Sequence, residues 1–168
     1  EAIGQLQGVA LVASALESEV LPARLRSYRP GELDELCTSG EVVWIGAGAL
    51  GAADGRVRLC FADQLPALAP GWEAIEPPAG DLHDAIRAHL RDHGASFWNA
   101  LRAAAAVDAT DAELLTALWD LVWAGEVTND SLAPLRSLLA AKGTRAARST
   151  APSCAASSPG ITRARPTT

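Results

Sequence analysis

Leu33-Asp-Glu-Leu36-Cys37-Thr38-Ser39-Gly40-Glu41-Val42 and, at an offset of 85, Leu118-Trp119-Asp120-Leu121-Val122-Trp123-Ala124-Gly125-Glu126-Val127 agree at five of ten positions. In each, apolar residues at helical spacing run to a glycine and then into a Glu-Val pair. That pattern predicts a helix stopped by a left-handed glycine that turns at once into a strand. A repeat of such a unit predicts two copies of one small module rather than one mixed domain.

Working outward from the first copy, Pro30 suits the first turn of its helix and Glu32 the positive end. Leu33, Leu36 and Cys37 form the inner face. Upstream, Leu6, Val9, Ala10, Ala13, Leu16 and Val20 predict one amphipathic helix ending near Pro22, followed by the basic segment Arg24-Leu25-Arg26-Ser27-Tyr28-Arg29. Downstream, 41–45 is β-prone and 56–61 alternates, with Val57, Leu59 and Phe61 on one face. The Gly/Ala-rich loop between them is closed by Asp54-Gly55, a turn dipeptide. Two helices and a hairpin give the layout of a winged helix, one helix short.

Around the second copy, 66–80 holds four prolines and reads as a linker. Asp81 caps a helix carrying Leu82, Ile86 and Leu90 that stops at Gly94. A short extended piece, Ser96-Phe97-Trp98, leads to a brief helix over 99–105. Thr110-Asp111-Ala112-Glu113 is a capping box for a helix burying Leu114, Leu115, Leu118, Leu121 and Val122. Asp130-Ser131 starts a further helix through Leu132, Leu135, Leu138 and Leu139. From Gly143 the chain is too poor in apolar residues to offset its entropy and is expected to be disordered. The expected fold is therefore α+β, mostly α, with tandem winged-helix modules: 1–65 with a hairpin wing, a linker at 66–80, 81–141 with its wing incomplete, and a basic disordered tail at 142–168.

Charge bears on partners. Of the 14 basic residues among 168, five lie beyond Ala141 and no acid does, so the first 141 residues carry nine bases against 20 acids, a formal charge of −11. An acidic body weakens long-range attraction to DNA, so nucleic-acid contact has to come from a local patch. Arg24, Arg26 and Arg29 before the second helix, with Arg56 and Arg58 on the wing strand, offer one, and Trp44 beside them offers a stacking surface. The alternative is ordinary solvated arginine. In the second module Asp111, Glu113 and Asp120 would repel phosphates, so that helix is expected to pack or dock.

Other chemistry is thin. Gly46-x-Gly48-x-x-Gly51 follows a strand, but no helix begins there to receive a pyrophosphate, and it reads as a wing tip. His89 and His93 sit one helical turn apart without an identifiable third metal ligand. Cys37 lies at core spacing, and three unpatterned cysteines suggest reduced, cytoplasmic thiols. No apolar run is long enough for a membrane span. One lysine beside thirteen arginines suits a GC-rich, actinobacterial type of genome. No catalytic residue, metal site or cofactor site is assigned to the chain.

Leu21-Pro22-Ala23-Arg24, Tyr28-Arg29-Pro30, the run from Leu33 to Trp44, Asp54-Gly55-Arg56, the run from Glu113 to Asp130 and Leu132-Ala133-Pro134-Leu135-Arg136 resemble the Lhr (large helicase-related) family, over about residues 1–140. The resemblance implies a piece of the C-terminal winged-helix array of an ATP-dependent 3′-to-5′ DNA-repair helicase. ATP and Mg would belong to a helicase core outside this chain. The implied partners are DNA or an RNA–DNA hybrid, neighbouring domains of the same polypeptide, and further copies in a homo-oligomer. Two alternatives stand beside it: part of a DNA-glycosylase-like domain, and a free-standing winged-helix DNA-binding protein. The family's second wing is completed by a returning strand around a Gly-Arg-Trp sequence that this chain lacks, so the second wing is expected to be open and the chain a fragment or truncated product.

Overall fold

A computed structural model describes residues 1–51, 54–105 and 108–149. The expected first helix is three elements: helix α1 (Ala2–Leu6), strand β1 (Leu11–Val12) and helix α2 (Ala13–Ala15), which continues as a π turn over Leu16–Val20. Gly8 makes the break. It sits at φ 77°, where other residues are strained, and its N–H donates to the Leu59 carbonyl at 3.0 Å. Helical spacing concealed this because Leu6, Ala13 and Leu16 still reach one core, whereas Val9 is exposed. The extra break supplies the helix that the sequence pattern lacked.

Helix α3 (Pro30–Thr38) has Pro30 in its first turn and Gly40 at φ 75° just past its end. Strands β2 (Val42–Ala49) and β3 (Gly55–Phe61) complete an antiparallel sheet of order β1-β3-β2, with Trp44 opposite Leu59 and Leu11 opposite Val57. Strand β2 runs into the expected glycine loop, with an irregularity between Gly46 and Ala49. Asp54-Gly55 closes the loop as expected, with Leu50 N donating to the Asp54 carbonyl at 2.7 Å and Ala49 opposite Gly55, and Gly51 takes φ 77° within it. The Asp54 carboxylate also turns inward and accepts from Ser14 N (3.3 Å), Ser14 Oγ (2.8 Å) and Gly55 N (2.9 Å), tying the hairpin to the start of α2.

The expected linker is structured: α4 (Leu65–Leu68) and a 3₁₀ turn (Ala69–Gly71) lie within or beside it. Helices α5 (Asp81–His93), α6 (Trp98–Ala104) and α7 (Asp111–Trp123) surround a small core of Ile86, Leu101, Ala105, Leu114, Ala117 and Leu121. The capping box is present, with Glu113 N donating to Thr110 Oγ1 at 3.2 Å and Thr110 N to Glu113 Oε2 at 2.8 Å. No strand occurs among the described residues of this half, neither at Ser96-Phe97-Trp98 nor after Gly125. Helix α8 (Ala133–Ser149) carries helical backbone past Gly143, where disorder was expected to begin; residues 150–168 lie outside the described ones.

Beside that small core, the second half also contributes to the core of the first. Val122, Trp123, Leu132 and Leu135 bury into the same cluster as Leu16, Leu33, Trp44, Val57 and Leu59. Leu132 and Leu135 are each 1% exposed, and burial of that kind is worth roughly 1.5–3 kcal/mol per side chain. The end of α7 reaches the wing through glycines. A Cβ on Gly46 would collide with the Val122 carbonyl oxygen and lie 2.9 Å from Trp123 Cα, and one on Gly55 would lie 2.6 Å from a Trp123 ring carbon. We predict that Gly46→Ala destabilises the chain by roughly 2–3 kcal/mol or more in urea unfolding. Gly31→Ala, in α3 with open space around it, should be neutral or slightly stabilising.

Candidate nucleic-acid interface

The six residues singled out in the sequence divide three ways. Arg24, Arg26, Arg29 and Arg56 are exposed. Arg24 Nη1 donates to the Val20 carbonyl at 3.0 Å, closing the π turn, and Arg29 stands 3.7 Å from Glu32. Arg56 lies on β3 opposite Val12, immediately before α2, whereas Arg24 follows α2. The arginines therefore fall into two groups, one beside the start of α2 and one after its π turn.

Arg58 is different. It shares the outer face of β3 with Arg56 but is half-buried, its guanidinium 4.9 Å from the ring centroid of Trp72. The expected linker supplies that cover. Trp44 corrects the expectation outright. It is 1% exposed, its indole N–H donates to the Ser131 carbonyl at 3.2 Å, and its own carbonyl accepts from Thr128 Oγ1. A ring in the core cannot stack on a base. The alternation of β2 was the available signal, since Trp44 has the parity of the inward Val42 and Gly46.

In a winged helix, the helix before the wing is the one that enters a DNA groove. Here that is α3, which carries Glu32, Asp34 and Glu35 and no basic residue. Helix α8 also holds it. Arg136 donates to Glu17 Oε2 (2.6 Å) and Oε1 (2.8 Å), to Asp34 Oδ2 (2.7 Å) and to the Pro30 carbonyl (3.2 Å). Leu132 N donates to Asp34 Oδ1 at 2.8 Å, Thr38 Oγ1 to the Asp130 carbonyl at 3.1 Å, and the Tyr28 hydroxyl to Glu17. Partial burial acts to raise the Asp34 carboxyl. The Arg136 and Leu132 hydrogen bonds and the nearby cation outweigh it and hold Asp34 below the usual carboxylate range. Burial, followed by the hydrogen bond to Glu17, raises the Tyr28 phenol. Sequence reasoning gave Arg136 no role, because its partners lie about a hundred residues away.

A second charged fork joins the other half. Arg87 donates to Glu126 at 2.6 and 2.7 Å, to Asp84 at 2.9 Å and to the Pro78 carbonyl at 2.7 Å. An open cleft of about 450 Å³ lies between the start of α5 and α7, where His83 Nε2 is 3.2 Å from Asp120 Oδ2. His89 and His93 stack at 4.5 Å, and His93 Nδ1 is 3.1 Å from the His89 carbonyl. No cluster of three metal-ligating side chains occurs among the described residues. Burial pushes the Cys37 thiol up to about 11 and also raises Cys60, so both stay protonated at neutral pH and neither is a ready nucleophile. No described helix is long and apolar enough to cross a membrane.

Helix, strand, two helices and a hairpin, closed as β1-β3-β2, define a winged-helix domain whose third helix is acidic and tied at Asp34 and Thr38 to α8 and the segment before it. Residues 1–62 match the family model of the large helicase-related protein winged-helix domain. The chain is 44% identical over 137 residues, 82% of its length, to the "Lhr helicase/ probable uracil glycosylase" of Mycolicibacterium smegmatis. It is 41% identical over 142 residues, 81% of its length, to the "Lhr helicase/uracil glycosylase" of Escherichia coli K12. The chain belongs to the large helicase-related (Lhr) family and spans about 9% of the length of each of these relatives.

Replacing Arg136 by Met should cost roughly 1–3 kcal/mol at pH 7, because Glu17 and Asp34 are left partly buried without their cation. Wild-type stabilisation through Asp34 is complete above the ordinary carboxylate range near pH 4 and is lost as pH falls through the depressed folded value. Urea midpoints of the two proteins should therefore converge as pH falls below the ordinary carboxylate range and through the depressed Asp34 value.

Proposed function

We propose that this chain is a non-catalytic nucleic-acid-contact and assembly segment from the C-terminal winged-helix region of an Lhr-type ATP-dependent helicase, translocating 3′ to 5′ in DNA repair in the cytoplasm. The observation that carries the reading is the state of α3. Acidic and clamped by Arg136, it is unsuited to entering a duplex groove, so the free-standing duplex reader is disfavoured. What remains for nucleic acid is the exposed set Arg24, Arg26, Arg29 and Arg56, suited to touching phosphates of a passing strand without reading bases. The shared core suits a rigid spacer between neighbouring domains. DNA or an RNA–DNA hybrid is the proposed nucleic-acid partner, and homo-oligomeric assembly belongs to the same reading.

ATP and Mg are assigned to a helicase core outside this chain. The glycine series from Gly46 to Gly51 does not fit a nucleotide, because it lies in β2 and its turn and no helix N-terminus follows it. A second reading, a segment of a base-excising domain, is favoured by the names that both relatives carry. Incubating the isolated chain with uracil-containing single strands tests it: abasic sites formed by the chain, and lost on Asp120→Asn in the α5–α7 cleft, would support that reading.

For the leading reading, the Arg24→Ala/Arg26→Ala/Arg56→Ala triple variant should bind a single-stranded oligonucleotide more weakly and with a shallower salt dependence. Each phosphate contact removed lowers the slope of log K against log salt by about 0.7. Unchanged affinity and slope in a fluorescence-anisotropy titration would leave assembly alone.

A further inference from the structure

Four arginines of the described residues are half-buried, and three of them meet carboxylates: Arg87 with Glu126 and Asp84, Arg102 with Asp111, and Arg136 with Glu17 and Asp34. The fourth, Arg58, has a Trp72 ring over it and no hydrogen-bond or ion-pair partner among the described residues; its Nε is buried and unsatisfied. In a chain with 20 acids and 14 bases, a half-buried guanidinium with a dry, unpaired Nε and no anion paired to it is conspicuous.

Arg58 also lines an open cleft of about 450 Å³ on the outer face of the wing. Its walls are mostly apolar: Ile45 from β2, Leu65 and Ala69 from the helical turns after the wing, Trp72, and Ile75. Glu73 and the end of α7 at Ala124 and Gly125 close the rim. We infer that this cleft is a docking site for a peptide segment presenting a carboxylate beside a branched aliphatic side chain, with Arg58 receiving the carboxylate and the Ile45/Leu65/Ile75 walls the side chain. The rim argues for a carboxylate over a phosphate. One cation must serve, while Glu73 and the carbonyl end of a helix both oppose a dianion, and a monoanion matches the planar guanidinium fork. Such a segment can come from elsewhere in a polypeptide of which this chain matches about 9%. Arg24 and Arg26 are not on the wing, and Arg56, though on the same face of β3, does not line the cleft; the inference goes beyond the strand-contact reading, so either can fail alone.

The test uses the full chain, with isovalerate as the probe: a carboxylate on a branched aliphatic tail. In ¹H–¹⁵N spectra, the Arg58 side-chain N–H and the Trp72 indole N–H should shift together and saturate with a Kd on the order of 1–10 mM, weak as befits so few atoms. Arg58→Met should abolish the Trp72 shift, and Glu73→Gln should tighten binding several-fold by removing a like charge from the rim. Inorganic phosphate and oligo-dT are run alongside. Shifts of the Arg58 and Trp72 signals with phosphate or oligo-dT but not isovalerate would overturn the proposal in favour of a phosphate ligand. Unmoved Arg58 and Trp72 signals in the wild-type chain would overturn it altogether, whatever the variants do.

Discussion

The contact on which the rest depends is the seat of the α7 terminus on the wing. The Val122 carbonyl and the Trp123 ring occupy the space where Cβ atoms of Gly46 and Gly55 would be. Gly125, at φ 79°, completes the seat from the other side, since a Cβ there would lie 2.9 Å from the Gly46 carbonyl oxygen. Interiors are packed densely enough that one methyl at such an approach has to displace backbone, and neither a strand nor a helix end yields cheaply. With the seat made, Trp123 stacks on Trp119 at 5.4 Å, and the chain beyond Gly125 is aimed back over the first core.

That redirection explains the charge clamp and its functional consequence. Leu132 and Leu135 enter the first core, which places Arg136 between Glu17 and Asp34. Ion pairs of this burial do little for net stability against an apolar alternative, but they are exacting about geometry. Arg136 therefore fixes how α8 lies on α3 more than it strengthens the fold. A winged helix whose third helix is held in this way keeps the architecture of a DNA reader but presents Glu32 and Glu35, not basic residues, on that helix's exposed side. Architecture alone does not fix activity, and the exposed arginines all lie outside that helix.

Much of the helical layout was legible in the sequence, because proline, glycine and capping residues act locally: Pro30, Gly40, Gly94, the Thr110–Glu113 box and Gly125 all mark real boundaries. What escaped depends on distant partners. The period from Leu6 to Val20 could not reveal β1, whose formation depends on pairing with Val57 and Arg56 more than forty residues on. Gly46 and Gly55 read as a loop and a turn because their neighbour, α7, lies about seventy residues downstream. Of the candidate site, the exposed arginines were legible as charge. The burial of Trp44 followed from strand parity, and the cover over Arg58 came from prolines that signalled a linker.

The repeat itself shows how similar segments take different ends. After Gly40 the chain enters β2; after Gly125 the equivalent Glu126-Val127 forms no strand. Glu126 is already gripped by Arg87, which raises no obstacle to strand formation alone but pins the residue to α5. Two residues on, Thr128 donates its hydroxyl to the Trp44 carbonyl, and Trp44 returns its indole N–H to Ser131. The segment that began a wing in the first copy thus lies along β2 of that wing, satisfying polar groups that an open strand edge would leave to water or to another chain. A second wing and a protected first wing compete for the same stretch from Glu126 to Ser131, and the close seat of α7 on Gly46 favours the protected first wing.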